Sequence, residues 1–284
     1  MTAPTGKRIT WLVAALVVVR LVSVGVALEG ADTRGKKTVL PGDVRRFHAI
    51  AQHPGEPYRD FAVEYPPLTL GAVELLDGRT VRDSTVRLMW SQLVLDLVIA
   101  AVIAWGWGKR ASVVYLLLGL AFVWYPFLYL RLDLLSVLLA VGGLALVRRR
   151  RSGTGAALLA LACFAKVWPI ALAPTFLVRR TPRSALLFAT VAALGLVAWI
   201  AVGGMDAPVQ VITFRGATGW QIESTVGALL HTFGHGVAHM EAGAMRTGVV
   251  PEWARIGLPA CGLAMVAGVW TIANRTRSRD AVVI

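Results

Sequence analysis

Charge is scarce in this 284-residue chain: 16% of its residues are charged, with 16 acids against 29 Lys and Arg. Cysteine is nearly absent. Cys163 and Cys261 both fall in apolar segments, where a thiol packs as a small hydrophobe, so neither a disulfide nor a cysteine-bound metal is expected. No phosphate-cradling Walker loop occurs, which removes ATP hydrolysis by that route. There is no sequence repeat and no stretch that reads as a soluble domain.

Apolar sequence fills the chain instead, at 56% hydrophobic residues and a mean hydropathy of +0.65. Apolar runs near 10–29, 84–107, 111–130, 132–147, 183–203 and 256–274 approach the ~17–25 residues that a spanning helix needs. Inside lipid every backbone N–H and C=O must be paired internally, so such runs are helices. They lack the short alternating segments of a membrane β-barrel. The expectation is an all-α polytopic membrane protein, a single integral-membrane domain over 1–284. The first run follows Lys7 and Arg8 like a signal peptide, but Arg20 interrupts it and no small-residue cleavage site follows, so a retained span is expected.

The surplus of positive charge reports topology rather than nucleic-acid binding. Basic clusters at Lys7-Arg8, Lys109-Arg110, Arg148 to Arg151, Arg179-Arg180 with Arg183, and Arg275, Arg277 and Arg279 hold fourteen cations and one acid, Asp280. Segments 29–83 and 204–255 hold thirteen of the sixteen acids. Positive-inside bias then puts both termini in the cytoplasm of a plasma-membrane protein, with long outer loops at 30–83 and 204–255. Membrane lipids are the expected counter-charges, and nucleic acid is not an expected partner.

Residues 153–178 lie between two arginine clusters, so both ends belong on the cytoplasmic side. Lys166 and Pro169 break the apolar run midway. A hairpin of two short helices turning at 165–169 reconciles these facts and brings the count to about eight passes; a single tilted span is the alternative. In the first outer loop, Leu68 to Leu76 reads as a short surface helix entered through Pro66-Pro67 and ended by Asp77-Gly78.

Asp43 lies in that loop, after Pro41-Gly42. A carboxylate there is either a proton acceptor for an incoming hydroxyl or the N-cap of a helix over Val44 to Gln52. Asp60 and Glu64 are second acids of one site or plain loop charges. Lys166, amid apolar residues, costs ~2.5–3.5 kcal/mol in lipid and needs an anion, an ion pair or a route to the interface. A phosphate is one such anion. Arg20 and Asp96 fall at similar depth on oppositely directed spans, which favours a mutual ion pair over ligand binding. Arg131 and Asp133 are better placed to face an outer cavity. Trp124, Tyr125, Phe127 and Tyr129 form either an interfacial belt or a sugar-stacking wall. His231, His235 and His239 recur every four residues, but Gly234 and Gly236 weaken any helix there, and no metal site is expected.

Four stretches together resemble the GT-C superfamily of membrane glycosyltransferases, specifically family 87, the polyprenol-phosphate-mannose-dependent mannosyltransferases of actinobacterial type. They are Gly42-Asp43 with Phe47 and Ile50-Ala51; Gly55 to Asp60 leading to Glu64-Tyr65-Pro66-Pro67-Leu68; Lys166-Val167-Trp168-Pro169; and Arg215-Gly216 with Gln221-Ile222-Glu223-Ser224. The resemblance implies a GT-C-like fold and inverting transfer of a sugar, mannose in the family, from a polyprenyl-phosphate carrier to a lipid or glycan hydroxyl at the extracytoplasmic face. Asp43 takes the place of the family's first-loop acid as general base. Lys166, with Arg131 or Arg215, would stabilise the phosphate, and Asp60, Glu64, Tyr65, Gln221 and Glu223 would contact substrate. No cofactor is implied beyond the donor lipid. The family continues through several more spans after its glutamate-serine segment, where here one run and a basic tail follow. A partner subunit supplying those spans, or a degenerate copy, is therefore also implied, and a non-catalytic lipid-phosphate binder remains the alternative.

Overall fold

The computed structural model describes residues 4–33, 42–120, 126–174, 176, 181–213, 218–222, 224–234, 236–241, 244–254, 257, 260–264, 266–268 and 271. Its helices are α1 (Pro4–Thr33), α2 (Gly42–Ala51), α3 (Pro67–Leu76), α4 (Val81–Trp107), α5 (Lys109–Leu118), α6 (Asp133–Arg148), α7 (Ser152–Ala165), α8 (Pro182–Gly203), α9 (Ala207–Thr213) and α10 (Thr225–Phe233). The helical membrane architecture expected from the hydropathy is what forms. Three helical stretches, Ile9–Glu29, Val81–Trp107 and Pro182–Gly203, are long and apolar enough to cross a bilayer. Leu186, Leu194, Val197 and Val202 of α8 are exposed, as suits a face turned to lipid.

The bundle packs in the order α1, α5, α4, α6, α7, α8. Helix α4 opens on a capping box, in which the Thr80 hydroxyl and the Asp83 carboxylate satisfy each other's backbone N–H. It closes at Gly108, whose φ of 96° suits a residue without Cβ and lets the chain reverse into α5. Across that reversal the Ser112 hydroxyl donates to the Ala100 carbonyl at 2.8 Å. Helices α6 and α7 meet at Gly143 and Gly155, where a Cβ on Gly155 would stand 2.6 Å from the Gly143 carbonyl oxygen. Small residues here let two backbones touch, as helices packed in lipid require.

At one end of the bundle Arg148 donates from Nε to the Gly106 carbonyl at 2.8 Å. Arg149 donates to the Trp105 carbonyl and lies over the Trp105 ring, 5.1 Å from its centroid. These cations satisfy the carbonyls left open where α4 ends. Asp133, at the other end of α6, lies about 22 Å from Arg148 along the helix axis at 1.5 Å per residue.

Prolines shape the departures from the expected spans. The run 111–130 does not continue as one α-helix, because Pro126 lacks a donor N–H and a 3₁₀ turn covers Pro126–Leu130. In the expected hairpin, α7 ends at Ala165, and its second arm begins as the 3₁₀ turn Trp168–Leu172, around Pro169. Phe176 then packs 6.1 Å from Phe188, in one cluster with Val147 and Ala156.

The region 204–255 departs from an all-helical reading. Strands β1 (Trp220–Gln221), β2 (His239–Glu241) and β3 (Ala244–Thr247) form an antiparallel sheet ordered β1-β3-β2. Arg246, 7% exposed, donates from Nη1 to the Gly219 carbonyl at 3.0 Å and from Nε to the Glu241 carbonyl at 3.1 Å. The histidine spacing has no helical meaning here: α10 stops at Phe233, and His239 sits in β2.

Candidate active site

Helix α2 carries Asp43 in its first turn and Arg46 one turn later, on the same face. Val44 and Phe47 anchor α2 in the main core with Leu88, Tyr129 and Leu132. Asp43 is about one-third exposed, and its Oδ2 lies 3.3 Å from Nε of Arg131. Arg46 pairs with Glu64. Tyr65 meets Phe47 edge-on, with ring centroids 5.5 Å apart. Burial pushes the Tyr65 phenol well above its usual range, and the Glu64 and Asp43 carboxylates add to that. Asp43, Arg46, Glu64, Tyr65 and Arg131 therefore form one electrostatic group.

Lys166 pairs with Asp133. The break that exposes it is held by α3, since the buried Thr69 hydroxyl donates to the Ala165 carbonyl at 2.5 Å. That carbonyl lies in the last turn of α7, where intrahelical donors run out. Arg131 and Asp133 are two residues apart in the turn that starts α6. One short turn thus holds both a partner of Asp43 and a partner of Lys166.

Asp60 does different work. Its Oδ2 accepts from the Glu56 N–H at 2.7 Å, closing the loop that leads to Glu64. Next to it Tyr58 adopts φ 70°, a strained region for a side-chain-bearing residue. The strain is held by Gln210, which donates to the Tyr58 carbonyl at 2.7 Å, and by Trp199, 5.8 Å from the Tyr58 ring. Gln221 lies in the small sheet, paired with Arg246. Arg215, Glu223, Arg179, Arg180, His235, Trp124 and Tyr125 lie outside the described residues, as do nine of the nineteen residues 256–274.

Arg20 and Asp96 pair as their depth suggested. Nε of Arg20 is 2.7 Å from Oδ2 of Asp96, both side chains being fully buried. Tyr115 and Tyr129 donate to the same carboxylate at 2.5 and 2.9 Å, and Arg20 reaches the Leu116 carbonyl at 2.9 Å. With its oxygens so occupied, this carboxylate serves the bundle.

Arg46 and Asp133 were not among the substrate contacts expected from the sequence. Arg46 was legible as the residue three places after Asp43 on a helix; Asp133 bonds to a residue 33 positions away, which no local pattern reports.

The sequence pattern of Glycosyltransferase family 87 matches residues 64–284. The chain belongs to this family. The match takes in Glu64, Tyr65, Arg131, Asp133 and Lys166, and begins after Asp43 and Asp60. No curated protein and no solved structure matches the chain. Family membership and the apolar helices together make this a membrane glycosyltransferase of GT-C-like type.

Proposed function

We propose that the protein transfers a sugar, mannose by its family resemblance, from a polyprenyl-phosphate carrier to an acceptor hydroxyl at the extracytoplasmic face of the plasma membrane. Asp43 is the general base. The acceptor oxygen attacks the anomeric carbon as its proton passes to Asp43, and the bond from that carbon to the carrier's phosphate oxygen breaks with inversion. The polyprenyl phosphate leaves with the bonding electrons. Because phosphate is already a good leaving group, the protein's tasks are to deprotonate the nucleophile and to stabilise charge on the phosphate. Arg131 and Lys166 serve the second task, and no cofactor enters the scheme.

The observation that carries this reading is the shared turn: Asp43 pairs with Arg131, and Lys166 with Asp133, two residues further on. Two carboxylates, Asp43 and Asp133, and two cations, Arg131 and Lys166, stand at the bundle end opposite Arg148, where a carrier's phosphate meets the cations by taking the place of their carboxylate partners. Such a phosphate competes with Asp43 for Arg131 and with Asp133 for Lys166, so donor binding itself liberates the base.

Membranes holding the protein, incubated with radiolabelled polyprenyl-phosphate mannose, test the scheme. Asp43→Asn is expected to abolish transfer to endogenous acceptors while expression and carrier binding persist. Transfer at the wild-type rate in that variant removes the base assignment. Carrier binding without transfer in the wild type would identify a lipid-phosphate binder instead. Lys166→Ala is expected to weaken polyprenyl-phosphate binding to the purified protein, and unchanged affinity counts against its role.

A further inference from the structure

A cleft of about 540 Å³ opens between the loop at 56–59, helix α3 and the end of α8. Its volume lies within the ~300–1,000 Å³ typical of small-molecule sites. Pro67 and Leu70 give it an apolar floor, and Glu56, Arg59 and Glu74 give it polar walls. Arg59 is set in place by the Glu56 carboxylate at 3.0 Å and the Ala201 carbonyl at 3.2 Å. The Glu74 carboxylate has no partner among the described residues.

Gly71 lines this cleft from the middle of α3. Glycine is unfavourable in a helix interior, and it is usually accounted for by a left-handed backbone or by a close neighbour. Neither applies. The backbone of Gly71 is helical, and a Cβ built there would meet nothing within 4 Å. A missing side chain that the fold does not require leaves room for something outside the fold to approach the helix backbone.

We propose that this cleft holds the hydroxyl-rich carbohydrate headgroup of the acceptor, an inference that rests on the transfer reading above. Carboxylates accept from hydroxyls and a fixed guanidinium donates to them, while the apolar floor suits the C–H face of a sugar ring. Two acids against one base make the cleft net negative, so a neutral polyol fits where the donor's phosphate does not. Its link to the group around Asp43 runs through Tyr58, part of its lining, whose hydroxyl donates to the Tyr65 carbonyl at 2.5 Å.

Fluorescently labelled mannotriose binding to the purified full-length protein in nanodiscs, read by anisotropy, tests the site without requiring turnover. Gly71→Leu, whose Cβ meets nothing within 4 Å and whose branched end projects from the cleft-lining position, should weaken binding at least tenfold, and Glu74→Gln several-fold. Thermal unfolding of Gly71→Leu should match or exceed wild type, which separates occlusion from misfolding. No triose binding, or binding that Gly71→Leu leaves unchanged, overturns the site. The transfer reading fails separately: triose binding without Asp43-dependent transfer leaves the cleft and removes the chemistry, whereas Asp43-dependent transfer with an unaltered acceptor KM in Gly71→Leu does the reverse.

Discussion

Oδ2 of Asp43 stands 3.3 Å from Nε of Arg131. In the proposed transfer this contact occupies the carboxylate that must meet the acceptor hydroxyl, so the pair holds Asp43 in reserve until an anion draws Arg131 away. Arg131→Ala is expected to weaken carrier binding roughly tenfold, the loss of one charge-assisted contact of about 1.5 kcal/mol. Titrating a short-chain polyprenyl phosphate into purified variant and wild type measures this, and equal dissociation constants would contradict it.

The Arg20–Asp96 pair is expected to act on stability alone. Removing one member of a buried pair strands the other, at a cost of about 3–5 kcal/mol. Arg20→Ala should therefore unfold well below wild type in detergent. Adding Asp96→Asn should recover part of the loss, because the amide oxygen still accepts from Tyr115 or Tyr129. Carrier affinity of the surviving folded fraction should not change; a parallel fall in affinity would assign the pair to ligand binding.

Thr69→Val keeps the shape of α3 and removes the hydroxyl that meets the Ala165 carbonyl. A buried carbonyl left without its donor costs about 1–3 kcal/mol. Because Lys166 follows directly, the variant should lose carrier affinity as well as stability, while Thr69→Ser retains both. Thermal unfolding and carrier titration on the two variants distinguish the hydroxyl from the methyl.

Glu241 gives the small sheet a pH dependence. The Thr218 N–H and hydroxyl and the Gly219 N–H, at 2.7, 2.8 and 3.0 Å, hold its carboxyl down at about 2. A depressed folded value means that its stabilisation is complete above the ordinary glutamate range and is lost as pH falls from about 4.5 towards 2. Protection of the Thr218 and Gly219 amides relative to their intrinsic exchange rates should fall over that window, and Glu241→Gln should flatten the profile.

Hydropathy, proline positions and charge placement made the helical frame legible. Pro66-Pro67 and Asp77-Gly78 bracketed α3 closely, and the depth of Arg20 and Asp96 on antiparallel runs anticipated their bond. The sheet at 220–247 was not legible, because strands of two to four residues carry too few positions for an alternating pattern. Pairing of Lys166 with Asp133 was one of several outcomes open to a lysine in an apolar run, and only the return of α7 beside α6 decides among them.

Arg148 and Arg149 are spoken for. Both reach back over the end of α4 and close its carbonyls, so they are structural side chains as well as carriers of positive charge. Neutralising them to probe how the chain sits in the membrane would therefore also loosen the corner between α4 and α6. An altered orientation in such variants could not be credited to charge alone.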